Sequence, residues 1–346
     1  MDKYQKIAAK IISTYETNLF AFREKYQYHW AARLYRITKS DRYLHPIYMD
    51  FQKRTLRWAR KISHWKVLLP AGKIGRKMLD SFDPTTPKDK EKYELYKKRP
   101  EVLFFLKLNH YLFLTKVYGL DKLDGFNKYY LKAIRKLKNQ NFEKILLDEK
   151  LIRANPSIVA NNASYLSYLG ITKLERQLAE VYKRIWLDFS PQSKSDWQNK
   201  VYALTHLIIP ATHFYQRFVT RGQFNWILKY FEKNFDQIVE NTNPDVIAEV
   251  GLCFKLCQHQ ESEVFEKARG IIAENFDAKR GYIPREDNPE GLEKAEHRNA
   301  IATLLLSDYQ KFFPGPDLYE YMINGKRELF VPKKVEWFGI PEEDMV

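Results

Sequence analysis

The sequence predicts an all-α chain folded as an (α/α)6 barrel, and three observations carry that expectation. Nearly every segment spaces its apolar residues at helical intervals. Strongly apolar helices alternate with amphipathic ones six times, as an inner ring buried on both sides and a half-exposed outer ring require. The stretch NPSIVAN at 155–161 is echoed by NPDVIAE at 243–249, an offset of 88 residues or two repeats of 44. One toroidal domain is expected over residues 1–346.

In order along the chain, residues 4–15 have helical spacing. The first apolar helix, 20–38, carries His29 and is followed by the amphipathic 42–64. Residues 66–100 break the pattern: Gly72, Gly75 and the run Asp83-Pro84-Thr85-Thr86-Pro87 predict an irregular insertion. Pro100 suits a helix start, 101–118 is strongly apolar and contains His110, Gly119 ends it, and 126–138 is its basic partner.

Asn155-Pro156 caps 157–169, followed by the charged 172–187. Residues 195–218 include YALTHLIIPATHFYQ (202–216), where His206 and His213 lie about two turns apart around Pro210. The amphipathic 223–239 comes next, then Asn243-Pro244 caps 245–257, with 261–276 as partner. Residues 295–312 and the short 317–324 form the last pair, and 325–346 reads as a non-helical tail.

The register brings particular polar residues to the starts of the apolar helices. Asn161 and Glu249 each lie six residues past their caps, His206 lies seven past Asn199, and His297 opens the sixth apolar helix. His206, Glu249 and His297 are therefore expected side by side. Two imidazoles and a carboxylate suit zinc or iron, with Asp245 orienting a ligand or adding a fourth one. The same trio also suits metal-free acid–base catalysis, and a structural hydrogen-bond network across the lumen is the bland reading. His213, deeper in its helix, is read as structural.

Tyr282 and Arg285, in the loop 276–295, are expected to reach over the opening and bind substrate. Arg298 and Asn299 at the following helix start, Asn161, and His110 deeper in the lumen join them as substrate-binding candidates. Cys253 and Cys257, with His259 nearby, are read as buried thiols, a Cys/His/Glu zinc site being the alternative.

Composition bounds the function. The chain is 45% hydrophobic and 15% aromatic with 13 glycines, as a well-packed globular protein is. Two cysteines exclude a disulfide scaffold, and no apolar run reaches the roughly 20 residues of a membrane span. With no signal-like N-terminal stretch, a cytoplasmic protein is expected. The net charge is +15, and residues 53–100 hold fifteen Lys or Arg against five Asp or Glu. That segment predicts an anionic partner or a solvated basic face.

The pieces Leu204-Thr205-His206, Asp245-Val-Ile-Ala-Glu249 and the His297 helix resemble the (α/α)6 toroid superfamily over residues 20–324, and are similar to uncharacterised bacterial toroid-like proteins. Members of the superfamily include bacterial glycosidases, sugar epimerases, terpene cyclases, protein prenyltransferases and lanthionine cyclases. The chain lacks the Cys-His pair of the lanthionine cyclases and a DxDD motif, and its two recognised lumenal acids, Asp245 and Glu249, share one helix.

The expectation is a bacterial-type enzyme acting in a barrel lumen on a small molecule or peptide, anionic in view of the basic surface. Hydrolase, lyase or cyclisation-type chemistry fits. The alternative is a non-catalytic helical-repeat protein that binds an acidic protein or nucleic acid.

Overall fold

A computed structural model describes residues 1–65, 70–288 and 290–323. The helices are α1 (Lys3–Asn18), α2 (Glu24–Thr38), α3 (Leu44–His64), α4 (Ala71–Leu79), α5 (Pro87–Lys98) and α6 (Pro100–Val117). They continue as α7 (Asn127–Lys138), α8 (Phe142–Leu146), α9 (Glu149–Ala154), α10 (Pro156–Tyr168) and α11 (Glu175–Tyr182). The last are α12 (Lys194–Ala211), α13 (Arg221–Asn241), α14 (Pro244–Leu256), α15 (Glu263–Glu274), α16 (Glu296–Leu306) and α17 (Leu318–Ile323). The fold is all-α. Among the described residues there is no strand, and one isolated antiparallel bridge joins Asp277 to Tyr282.

The six apolar helices expected from sequence are α2, α6, α10, α12, α14 and α16. They pack in the succession α6–α10–α12–α14–α16–α2. Burial explains why most of them lack an amphipathic pattern: α6 has apolar side chains buried around nearly its whole circumference, whereas α2 buries one face through Trp30, Ala31, Leu34 and Tyr35. Between α2 and α6 the contact is made by side chains, with Tyr28 Oη 3.3 Å from Tyr118 Oη. A C-terminal strap spans this join. Phe313 N donates to Arg36 O at 2.8 Å and Leu318 N to Tyr118 O at 2.9 Å.

Three expectations are corrected. Residues 71–79 and 87–98 form α4 and α5, and only 80–86 between them, with the Asp83-Pro84-Thr85-Thr86 run, stay non-helical. Gly75, read as a breaker, is a packing residue: a Cβ there would collide with Pro100 O, so α4 sits directly on the start of α6. The helix packed on α16 is the N-terminal α1, whose Tyr15 Oη donates to Leu292 O at 2.8 Å, whereas the short 317–324 piece, here α17, packs near Tyr118. The two Asn-Pro starts also differ. Asn243 accepts from Asp245 N and Val246 N as a cap, but Asn155 makes no cap bond and donates instead to Tyr96 Oη at 2.8 Å. The tail 325–346 lies outside the described residues.

The apolar helix expected over 195–218 ends at Ala211. His213, Phe214 and Tyr215 then take φ of 54°, 57° and 66°, three successive left-handed residues without a glycine among them. Each such residue costs about 1–2 kcal/mol. The turn is held by Gln216 N and Arg217 N on Thr212 O, and by Tyr215 N on Thr212 Oγ1 at 2.8 Å. It turns Phe214 and Tyr215 inward.

Candidate functional site

A cavity of about 1050 Å³ lies between α2, α3, α6, α10 and the end of α12, with α4, α5 and the 212–215 turn completing its sides. Its aromatic wall is built by stacking. His110 lies 5.2 Å from Tyr165, and Tyr165 lies 5.2 Å from Phe214. Nine cations, including Arg33, Arg54, Arg57, Lys61 and Lys107, line it against the acids Glu24, Asp50 and Asp89. Five of the fifteen basic residues of the 53–100 segment, Lys53, Arg54, Arg57, Lys61 and Lys92, therefore line this cavity.

One wall carries the polar cluster. His206 Nδ1 bonds Asn161 Oδ1 at 3.0 Å, and its Nε2 lies 4.0 Å from Glu249 Oε2. Glu249 Oε1 lies 3.8 Å from His297 Nε2. His297 stacks on His29, ring centroids 5.4 Å apart, and His29 Nδ1 pairs with Glu296 at 2.7 Å. His29, Asn161, His206 and Arg33 line the cavity; Glu249, Glu296 and His297 stand one group behind. The expected convergence of His206, Glu249 and His297 is thus found.

Burial sets the charge states. It pushes the Glu249 carboxyl up to about 7, opposed by the hydrogen bond from Thr205 Oγ1 (2.8 Å) and by Arg33 and reinforced by Asp245. Glu296 is raised to about 7 by burial, with Arg33 and His297 opposing. Burial drives His206 down to about 3, helped by the charges of His297 and Arg33. His297 falls to about 4, by burial first and then His29 and Arg33. Its ring is 44% exposed, so it is walled by protein yet open on one side. At neutral pH the imidazoles are neutral and the two carboxyls are poised between forms.

The other candidates have different roles. Arg298 Nε donates to Asp245 Oδ1 at 2.6 Å and Arg298 Nη1 to Pro284 O at 2.6 Å, which occupies both residues and ties down the 276–295 loop. Asn299, fully buried, bonds Ile283 in both directions, N to Oδ1 at 2.8 Å and Nδ2 to O at 2.9 Å. Tyr282 is buried beside the bridge to Asp277, and Arg285 pairs outward with Asp287 at 2.7 Å. None of Asp245, Tyr282, Arg285, Arg298 or Asn299 lines the cavity. Through Pro284 and Ile283 the loop is tied to α16, and Arg298 in turn joins α16 to Asp245 of α14. His110 does line the cavity, its basicity lowered to about 4 by burial and then by Arg54.

Metal ligation does not fit this geometry. Among the described residues no group of three or more His, Cys, Asp or Glu side chains is placed to hold a metal ion. Cys253 and Cys257 are free and buried; burial raises both thiols, Cys257 to about 12. His259 is paired with Glu232 at 3.2 Å and Glu261 at 2.6 Å, apart from any zinc role.

Three site residues escaped the sequence reading. Thr205 was legible, since it stands 44 residues before Glu249 and 44 after Asn161, in the repeat register itself. Arg33 lies one turn past His29, lines the cavity, and has a buried Nε without a hydrogen-bond partner. Glu296 reads in sequence as an ordinary acidic helix start, yet it is 1% exposed. It supplies the second lumenal carboxylate on a different helix from Glu249.

The sequence profile of a family described as "Domain of unknown function (DUF3541)" matches residues 4–336. No curated protein and no solved structure matches the chain. Among the described residues, no helix is long and apolar enough to cross a membrane.

Proposed function

The chain belongs to the DUF3541 family, and we propose that it is an enzyme of the (α/α)6 toroid kind that moves protons on a small anionic ligand. The ring of six apolar helices, joined at α2 and α6 by the C-terminal strap, supports the toroidal reading. One observation carries the chemistry: two cavity-lining imidazoles, His29 and His206, are each backed by a buried carboxyl, Glu296 at 2.7 Å and Glu249 at 4.0 Å.

His206 keeps its Nδ1 proton on Asn161 Oδ1, which leaves the Nε2 lone pair facing Glu249 4.0 Å away, so that a proton reaching the ring passes on to that carboxylate. A carbon-bound proton next to a ligand carboxylate passes to an imidazole, and the electron pair moves onto the carboxylate oxygens as an enediolate. Arg33 meets that growing negative charge with donors already inside the cavity. The carboxyls at about 7 take up or return protons near neutral pH, as acid–base partners should. Delivery of a different proton by His29, resupplied from Glu296 at 2.7 Å while the first stays on the His206–Glu249 pair, gives an epimer; loss of a β-substituent, which takes up the removed proton, gives an elimination. An isomerase or lyase fits this arrangement better than a hydrolase, for which no nucleophile is aimed into the cavity by a base.

The test is solvent isotope exchange. The protein is incubated in D2O with a set of uronates and 2-hydroxy acids, and the ligands are analysed by mass spectrometry. Deuterium enters at the carbon next to the carboxylate, and His206→Asn and Glu249→Gln lower the rate at least a hundredfold while Arg33→Met abolishes it. Ligands that bind without exchange or conversion would sink the catalytic reading and favour a binding protein.

A further inference from the structure

We propose that Arg57, Lys61 and Lys107 form a phosphate subsite at the far end of the same cavity, so that the ligand is a phosphorylated small molecule. This rests on the reading of the cavity as the substrate chamber.

The argument begins with the stripe on α3. Asp50, Arg54, Arg57 and Lys61 recur at three- and four-residue spacing and all line the cavity. Of the other lining cations, Arg54 pairs with Asp50 at 2.7 Å, Lys53 with Glu24 and Lys92 with Asp89 at 3.2 Å, while Lys25, Arg33 and Arg36 have no ion pair among the described residues. Arg57, Lys61 and Lys107 have no ion pair among the described residues. Lys61 has only the Trp58 ring, 4.9 Å away, and Trp58 in turn stacks on Tyr111.

The three charges are close enough to act on one another. Burial lowers the Lys61 ammonium, and Lys107 and Arg57 lower it further. Like charges at one-turn spacing destabilise a helix, and the acid whose charge reaches Arg57, Asp50, is already paired with Arg54. A dianion would relieve them. Phosphate monoesters carry about −1.5 to −2 at neutral pH, and a guanidinium with two ammonium groups matches their three free oxygens. A carboxylate would leave two of the three cations unanswered.

The rest of the cavity accounts for the body of the ligand. Lys107 is one turn from His110 on α6, and the His110–Tyr165–Phe214 stack continues from there. Tyr165 is one turn from Asn161, which holds His206. The aromatic wall thus runs from the cations to the acid–base cluster. The 1050 Å³ volume is far more than one phosphate needs and suits a whole metabolite.

Isothermal titration of the full chain with inorganic phosphate, at constant ionic strength, tests the subsite. Wild type is expected to bind with millimolar or tighter affinity. Lys61→Gln/Lys107→Gln weakens binding at least tenfold, whereas Lys128→Ala/Lys229→Ala on exposed outer positions leaves it within twofold. Without phosphate the first double variant melts at a higher temperature than wild type, because repulsion is removed, and phosphate no longer raises its melting point. Phosphate bound equally by both double variants, or not bound by folded wild type, overturns the proposal. So does binding of a single-stranded oligonucleotide that phosphate fails to displace. Glu249→Gln keeps phosphate binding, so phosphate binding without isotope exchange would refute the chemistry while leaving the subsite standing.

Discussion

Asn161 and His206 meet across two neighbouring helices, Oδ1 to Nδ1 at 3.0 Å, and this contact decides which nitrogen of His206 is free to act. An amide oxygen only accepts, so Nδ1 holds the proton and Nε2 becomes the base. Asn161→Leu removes the acceptor and lets the other tautomer form. The 15N spectrum of the His206 ring should change from a single Nδ1–H species to a mixture. Isotope exchange should fall tenfold or more while phosphate affinity stays within twofold. An unchanged ring spectrum would show that Asn161 does not set the tautomer.

Glu249 gives the protein a pH signature. Burial holds its carboxyl at about 7 in the fold, against an ordinary value of 4.5. The folded state therefore holds a proton that the unfolded chain releases, and this favours folding below pH about 4.5. The advantage is lost as pH rises through about 7. The shift corresponds to about 3 kcal/mol at most. Glu249→Gln, neutral throughout, should match wild-type stability near pH 5 and exceed it by up to that amount at pH 8, in urea titrations. A stability difference that does not vary with pH would contradict the buried, poised acid. The depressed imidazoles act oppositely: His206 and His297, at about 3 and 4, weaken the fold as pH falls below 6.5.

Gly75 tests the packing of the segment between α3 and α6. A methyl group there would collide with the Pro100 carbonyl oxygen, and backbone cannot move aside cheaply. Gly75→Ala should cost about 1–3 kcal/mol by urea denaturation, despite the better helix propensity of alanine. A neutral or stabilising result would mean that α4 does not rest on α6. Because α6 lines the cavity, the same variant should also weaken phosphate binding.

By itself the sequence determined the alternation of apolar and amphipathic helices and the 44-residue register. Periodicity reports which faces are buried, and a repeated cap motif fixes phase. That register was enough to set Asn161, His206 and Glu249 together, and it held Thr205 as well. Tertiary structure decided the rest, because it depends on neighbours distant in sequence. Glu296 became a buried acid only when α2 brought His29 against it. Arg298 and Asn299, dense enough to look like a binding rim, were consumed by Asp245 and the Ile283 backbone. The left-handed turn at His213–Tyr215 carries no glycine to announce it, so only the packing that holds it shows why Phe214 faces the cavity. The basic stripe on α3 likewise gave no sign in the sequence that Arg57 and Lys61 would share one open cavity with Lys107 of α6.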